Sequence, residues 1–378
     1  MRKKNPEIFL DYFDDIEDPR SDRNKLYTIN EILLVTICAL ICGADSWRDL
    51  VEFGEAKLDL LREYLPYKYG IPSKNTFCRF FASLNPKEFK GCFIKWVSEL
   101  SLLKEGRQKI IAIDGKQLCN SFDKKDNKSA IHIVSAFATE TRLILGQQKV
   151  TDKSNEITAI PELLKMLDLR NGIVTIDAMG TQKKIAKQII KQGGEYILAL
   201  KGNHTTLHTD VINIFNDKTN IFYKATDIDC GHGRIEERTC YAIGDISWLQ
   251  DLGFDGLKSV ICIEAKRTIN KKTTEEKRYY ISSLSASNPA KLNSGIRSHW
   301  GVENSLHWTL DTTFNEDNSR IRADNAAENI AMMRHTTINL LHMAQASTYK
   351  KNSIKGLRKK AGWDNSTLRT ILNQGVSG

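Results

Sequence analysis

At 378 residues, with 41% hydrophobic and 27% charged residues, the chain is too long for one minimal domain and too apolar for a disordered one. A formal charge of +9 and a pI near 9.0 favour an anionic partner, nucleic acid first, over the plainer reading of a merely soluble basic protein. Eight cysteines without a C-x-x-C pair exclude a disulfide framework and a thiol zinc site, and fit a reducing cytosol. No apolar signal core follows Met1, and the apolar stretch 32–44 is too short to span a bilayer, so a cytoplasmic location with no membrane partner is expected.

Residues 1–105 read as helical. The stretch 29–42, I-N-E-I-L-L-V-T-I-C-A-L-I-C, suits a buried helix with Asn30 as cap and Gly43 as stop. Ser73 can cap a further helix carrying Lys74, Asn75, Thr76 and Arg79 near its start. That placement suits the recognition helix of a helix-turn-helix, or an ordinary surface helix.

Residues 106–200 read as strands over 109–113, 130–138 and 143–150, a helix over 157–167, a strand over 173–177, a helix over 182–192 and a strand over 196–200. Three strands followed by strand–helix alternation predict a mixed sheet with helices on its faces. This is a ribonuclease H-like order, with the first and fourth strands adjacent at the centre. The first, K-I-I-A-I-D, and the fourth, G-I-V-T-I-D, are apolar runs that each close on an aspartate, Asp114 and Asp177, 63 positions apart. Acids at the ends of buried strands need a cation or hydrogen-bond partner, and neighbouring strands about 5 Å apart let both share metal ions.

Residues 201–285 read as a β-rich insertion, with strand-like runs at 238–243, 259–267 and 278–284. The chain turns helical again over 289–310 and 326–346. Its end, 347–378, carries seven basic residues against Asp364 alone, either a strip for the DNA backbone or a solvated helix. A third acid is sought in 297–311, R-S-H-W-G-V-E-N-S-L-H-W-T-L-D, where Trp300, Glu303 and His307 share a helical face. Arg297 and His299 lie near one end, placed for a phosphate. Lys201, Asn203 and His204 follow the last core strand at its carboxyl end, where sheet ligands collect.

Eight motifs in order carry a resemblance: D-Y-F-D-D-I-E-D-P-R at 11–20, G-I-P-S-K-N-T-F at 70–77, A-I-D-G-K at 112–116, H-I-V-S-A-F at 132–137, K-S-N-E-I-T-A-I-P at 153–161, T-I-D-A-M-G-T-Q at 175–182, L-K-G-N-H at 200–204, and the stretch 297–311. The chain resembles DDE transposases of the H-repeat-associated, Rhs-element-linked insertion-sequence family. The resemblance implies an α/β fold: a ribonuclease H-like mixed sheet core, a β-rich insertion and an all-helical N-terminal domain. The expected units are an N-terminal DNA-binding domain (1–105), a core in two parts (106–200 and 286–346), the insertion (201–285) and a basic tail (347–378).

The resemblance further implies Asp114, Asp177 and Glu303 as catalytic acids and metal ligands. They would hold two Mg²⁺ ions, with Mn²⁺ able to substitute, for strand cleavage and transfer. Its expected partners are double-stranded DNA at element ends and target, and a second copy or more of the chain on that DNA, in the bacterial cytosol beside the nucleoid. DNA contacts are expected from Lys74, Asn75, Arg79, Lys201, Asn203, His204, Arg297, His299, Lys359 and Lys360. Related cut-and-paste transposases carry Tyr, Arg, Glu and Lys along the acid-bearing helix. Here Ile296, His299 and Leu310 stand at the Tyr, Arg and Lys positions, and Arg297 is the candidate replacement for the arginine. Glu156, Asp311, Glu316 and Asp317 remain rival third acids, and a DNA-binding relic without chemistry remains the alternative function.

Overall fold

The computed structural model describes residues 9–23, 25–102, 109–122, 129–151, 155–217, 219–231, 233–246, 249 and 253–375. Lys153 and Ser154 of the K-S-N-E motif lie outside the described residues. Five helices come first: α1 (Ile29–Ile41), α2 (Trp47–Ala56), α3 (Leu58–Leu61), α4 (Lys74–Ser83) and α5 (Pro86–Leu102). Thr28, rather than Asn30, caps α1: its hydroxyl accepts from the Glu31 N–H at 3.1 Å, and the Glu31 carboxylate accepts from the Thr28 N–H at 2.9 Å. Asn30 instead donates its amide to Asp14. Gly43, at φ +110°, ends the helix as its sequence implies. Ser73 caps α4, accepting from the Thr76 N–H at 3.3 Å.

One nine-stranded sheet runs through the rest of the molecule. Its strands are β1 (Lys109–Gln117), β2 (His132–Ala138), β3 (Leu143–Lys149), β4 (Gly172–Ile176), β5 (Glu195–Leu200), β6 (Tyr223–Gly231), β7 (Arg234–Ile243), β8 (Ser259–Ile269) and β9 (Lys272–Ser282), in the order 3-2-1-4-5-9-8-7-6. β1 pairs antiparallel with β2 and parallel with β4, and β4 pairs parallel with β5. The four strands from 201–285 extend this sheet through the antiparallel β5–β9 pair. β8 and β9 are buried near β5 and exposed at their joined ends, where Asn270 and Lys271, both at positive φ, make the tight hairpin turn.

α6 (Glu156–Leu164), α7 (Lys183–Lys191) and α8 (Thr205–Asn216) cover one face of the sheet. The other face meets α9 (Pro289–Gly301), which continues through a π-helical turn, Val302–His307, into α10 (Trp308–Thr313). Three more helices follow, α11 (Ala326–Ser347), α12 (Ile354–Trp363) and α13 (Asn365–Leu372). The basic end of the chain is therefore folded: Leu357, Ala361, Leu368, Ile371 and Leu372 join a core shared with α1, α4, α5 and α11. Arg358, counted among the basic residues, is buried and donates to the Leu40 carbonyl. α11 is anchored to the sheet edge by Asn339, which accepts from the Ile144 N–H at 2.8 Å and donates to the Ile144 carbonyl at 3.0 Å. Among the described residues no helix is long and apolar enough to cross a membrane.

Candidate active site

Side chains alternate along β1, so Ala112, Asp114 and Lys116 share the face turned toward the helix 289–313. Asp114 does not end the strand, which continues to Gln117; β4 does stop at Ile176, one residue before Asp177. Ile113 sits opposite Ile176 in the parallel pair, so the two aspartates emerge side by side from adjacent strands. The Asp177 carboxylate accepts from the N–H groups of Met179 (3.1 Å) and Gly180 (3.2 Å), which fixes its loop. Glu303 enters from the π-helical turn. All three acids line one cavity of about 390 Å³, together with His299 and Lys201.

Burial pushes the Asp114 carboxyl up to about 7, helped by the charges of Glu303, Asp177 and Glu156 and opposed by the Gly115 N–H, 3.0 Å from Oδ1. His307 Nδ1 stands 3.6 Å from Asp114 Oδ2. Burial and the nearby Lys116 charge hold that imidazole down to about 4, so it is neutral at pH 7. His299 is likewise lowered by burial, against the pull of Asp177, and its Nδ1 shares a 3.0 Å hydrogen bond with the Thr175 hydroxyl.

The rival acids have other partners. Lys116 Nζ lies 2.7 Å from Asp311 Oδ1, 2.7 Å from Asp317 Oδ1 and 4.0 Å from Glu316 Oε2. Glu316 also pairs with Arg334 at 3.2 Å, both side chains fully buried. Glu156 meets His132 Nε2 at 2.9 Å. It packs so tightly over Gly115 that a Cβ there would fall 2.1 Å from its carboxylate oxygen, which explains the glycine after Asp114. Among the described residues no three acidic, histidine or cysteine side chains stand in metal-coordinating geometry. The donor chemistry nevertheless fits a hard divalent cation: Asp114, Asp177 and Glu303 share a cavity with a fourth acid, Glu276, that is held by Arg278 at 2.7 Å, and the burial and neighbouring charges that raise Asp114 are what a bound cation would offset.

A family model described as "Transposase DDE domain" matches residues 105–340, from the first core strand into α11. A second, described as "DDE_Tnp_1-associated", matches residues 10–97, the N-terminal helices. The chain belongs to the DDE transposase family. Its H-repeat-associated character is shared with a relative named "H repeat-associated putative transposase YhhI" from Escherichia coli K12, 40% identical over 96% of this chain and 97% of the relative. "H repeat-associated putative transposase YbfD" of the same strain is 44% identical over 53% of this chain and 78% of its own. "Inactive transposase YbfQ", also of that strain, is 42% identical over 16% of this chain and 74% of its own.

The geometry revises the expectation for Arg297 and places the other expected contact residues. Arg297 does not replace the helix arginine at the cavity: it pairs with Asp227 at 3.1 Å and with Asp229, fastening α9 to β6. Ile296 and Leu310, at the tyrosine and lysine positions, are buried in apolar surroundings. Asn203 and His204 brace the Asp177 loop, reaching the Ala178 and Thr181 carbonyls at 2.6 Å each. Lys74, Asn75 and Arg79 are exposed on α4, and Lys359 and Lys360 on α12; none of them lines the cavity. The motif reading missed the part of the cavity lined by β9, which contributes Glu276, Lys277 and Arg278, the last paired with Glu276 at 2.7 Å and with its guanidinium 4.8 Å from the Trp300 ring centre. The charged run E-E-K-R before Y-Y in β9 was the available signal, and it reads equally well as a solvated strand.

Proposed function

We propose that this chain is a working DNA transposase, with Asp114, Asp177 and Glu303 as its catalytic acids, and that it cuts and joins phosphodiesters at the ends of its own mobile element. One observation carries the reading: acids from three distant stretches line one cavity, and Asp114 is pushed up to about 7 there. The order of the first five strands, with β2 antiparallel beside a parallel β1–β4–β5 set, supports a ribonuclease H-like core. The three acids would hold two Mg²⁺ ions, or Mn²⁺ in their place. Ions held there would supply activation of an attacking oxygen and charge stabilisation of a leaving one. Asp114 must release its proton to take part. His299, its pKa lowered by burial, offers the phosphodiester a hydrogen-bonding group at the position where related cut-and-paste transposases carry an arginine.

Lys201 adds positive charge to the cavity lining, suited to the phosphate backbone, while Arg278 there is paired with Glu276 at 2.7 Å. Lys74, Asn75 and Arg79 on α4, with Lys359 and Lys360 on α12, are proposed backbone contacts outside the cavity. An element has two ends, so a homodimer or larger assembly on DNA is proposed, in the bacterial cytosol. A second reading, a DNA-binding relic without chemistry, draws on the similarity to an inactive transposase and on His299 at the arginine position. Incubation with DNA carrying the gene's own flanking sequences separates the two. Nicks at fixed positions that need Mg²⁺ or Mn²⁺ support the enzyme; binding that persists in EDTA, with no product in either metal, supports the relic.

A further inference from the structure

Lys116 is set into the acidic cluster behind the cavity, where Arg334 answers Glu316 from the far side, and its side chain is only 10% exposed. Its ammonium stands between Asp311 on α10 and Asp317 in the short turn that follows, with Glu316 behind. Burial works against its charge, yet the bonds to Asp311 and Asp317 hold its pKa above the usual lysine value. Lys116 lies two residues beyond Asp114 on the same face of β1, and Asp311 lies eight residues beyond Glu303 on the same continuous helix. At 3.6 residues per turn those eight residues would leave Asp311 about 80° round the helix from Glu303. The π-helical turn advances more slowly per residue and closes much of that angle.

Resting on the catalytic reading above, we infer that Lys116 is a positioning residue. It clasps the helix carrying Glu303 to the strand carrying Asp114, and with its own charge it answers Asp311 and Asp317, which would otherwise compete for the divalent cation. The clasp works through the two acids it aligns and touches no substrate.

The test compares wild type, Lys116→Met, Lys116→Arg, Asp311→Asn and the Lys116→Met/Asp311→Asn double variant. Lys116→Met should lower kcat for strand cleavage by about 100-fold with little change in KM, the scale on which a misplaced catalytic group acts. Lys116→Arg should restore part of that loss. The double variant should be no slower than Lys116→Met alone, since Asp311→Asn removes a contact that Lys116→Met has already lost. Mn²⁺ binding followed by electron paramagnetic resonance should show an additional ion in Lys116→Met and none in Lys116→Arg. Hydrogen exchange of the 308–313 amides, read in EDTA, should speed up in Lys116→Met and in Asp311→Asn. Unchanged exchange and an unchanged Mn²⁺ count overturn the inference, as do kcat losses that multiply in the double variant. If the wild type cuts nothing, the catalytic reading fails, while exchange and ion count still decide the clasp.

Discussion

Replacing Asp114 by Asn should stabilise the metal-free protein while abolishing its chemistry. Asp114 has its folded-state pKa raised from 3.8 to about 7, so the native state binds that proton more tightly than the unfolded chain does. The sign follows: this group favours folding at low pH, and its contribution is lost as pH rises from about 4 through 7. A shift of about 3 units corresponds to roughly 4 kcal/mol of strain at pH 8, an upper bound because the side chain keeps 18% of its exposure. We expect about 2–3 kcal/mol, and at about 2 cal/mol/K of unfolding entropy per residue this is a rise of roughly 3–4 °C in Tm. The assay is thermal and urea denaturation of wild type and Asp114→Asn in EDTA, at pH 8 and pH 5. The advantage should fall to less than half at pH 5, where the folded wild type carries the proton. Added Mg²⁺ should close the gap at pH 8 by stabilising the wild type alone. A variant no more stable than wild type in EDTA at pH 8 would refute the reasoning, because burial and the neighbouring acids would not then be straining the Asp114 charge.

Other expectations rest on separate contacts. Divalent-cation affinity, measured calorimetrically, should weaken by up to about tenfold per pH unit below 7, since Asp114 must lose its proton to bind. Arg297→Ala should leave DNA affinity nearly unchanged and cost about 0.5–1 kcal/mol in denaturant melts, because its partners are half-exposed aspartates of β6. Asn339→Ala strands the buried N–H and carbonyl of Ile144 and should cost about 2–4 kcal/mol in the same melts. Replacing Lys359 and Lys360 together by Ala should lower the salt dependence of DNA binding by up to about 2 in slope, with no change in the cleavage site.

The residues that build the centre of the sheet announce themselves locally. K-I-I-A-I and G-I-V-T-I are buried β-branched runs with their acids at matching places, so β1, β4 and the pairing of Asp114 with Asp177 were legible from pattern alone. Glu303 was legible through the motif around it. β6 was not, because an edge strand exposed along most of its length carries no apolar alternation. The helical end of the chain was hidden in another way: its lysines dominate the composition while Leu357, Leu368 and Leu372, spaced for a buried face, do the packing. Arg297 was misplaced because its partners, Asp227 and Asp229, lie about 70 positions earlier, on a strand that gave no signal. The π-helical turn was equally silent. Helical phase counted at 100° per residue separates Glu303 from Asp311, and only the built helix shows both turned to β1.

The most direct test of the account is strand cleavage on DNA bearing the element's ends, in Mg²⁺ or Mn²⁺, by wild type, Asp177→Asn and Glu303→Gln, with folding of each checked by thermal melts. The account predicts metal-dependent nicks at the element ends by the wild type and none by either variant, with DNA binding retained in both. Cleavage that survives Glu303→Gln would contradict it, and would move the third acid to another carboxylate near Asp114.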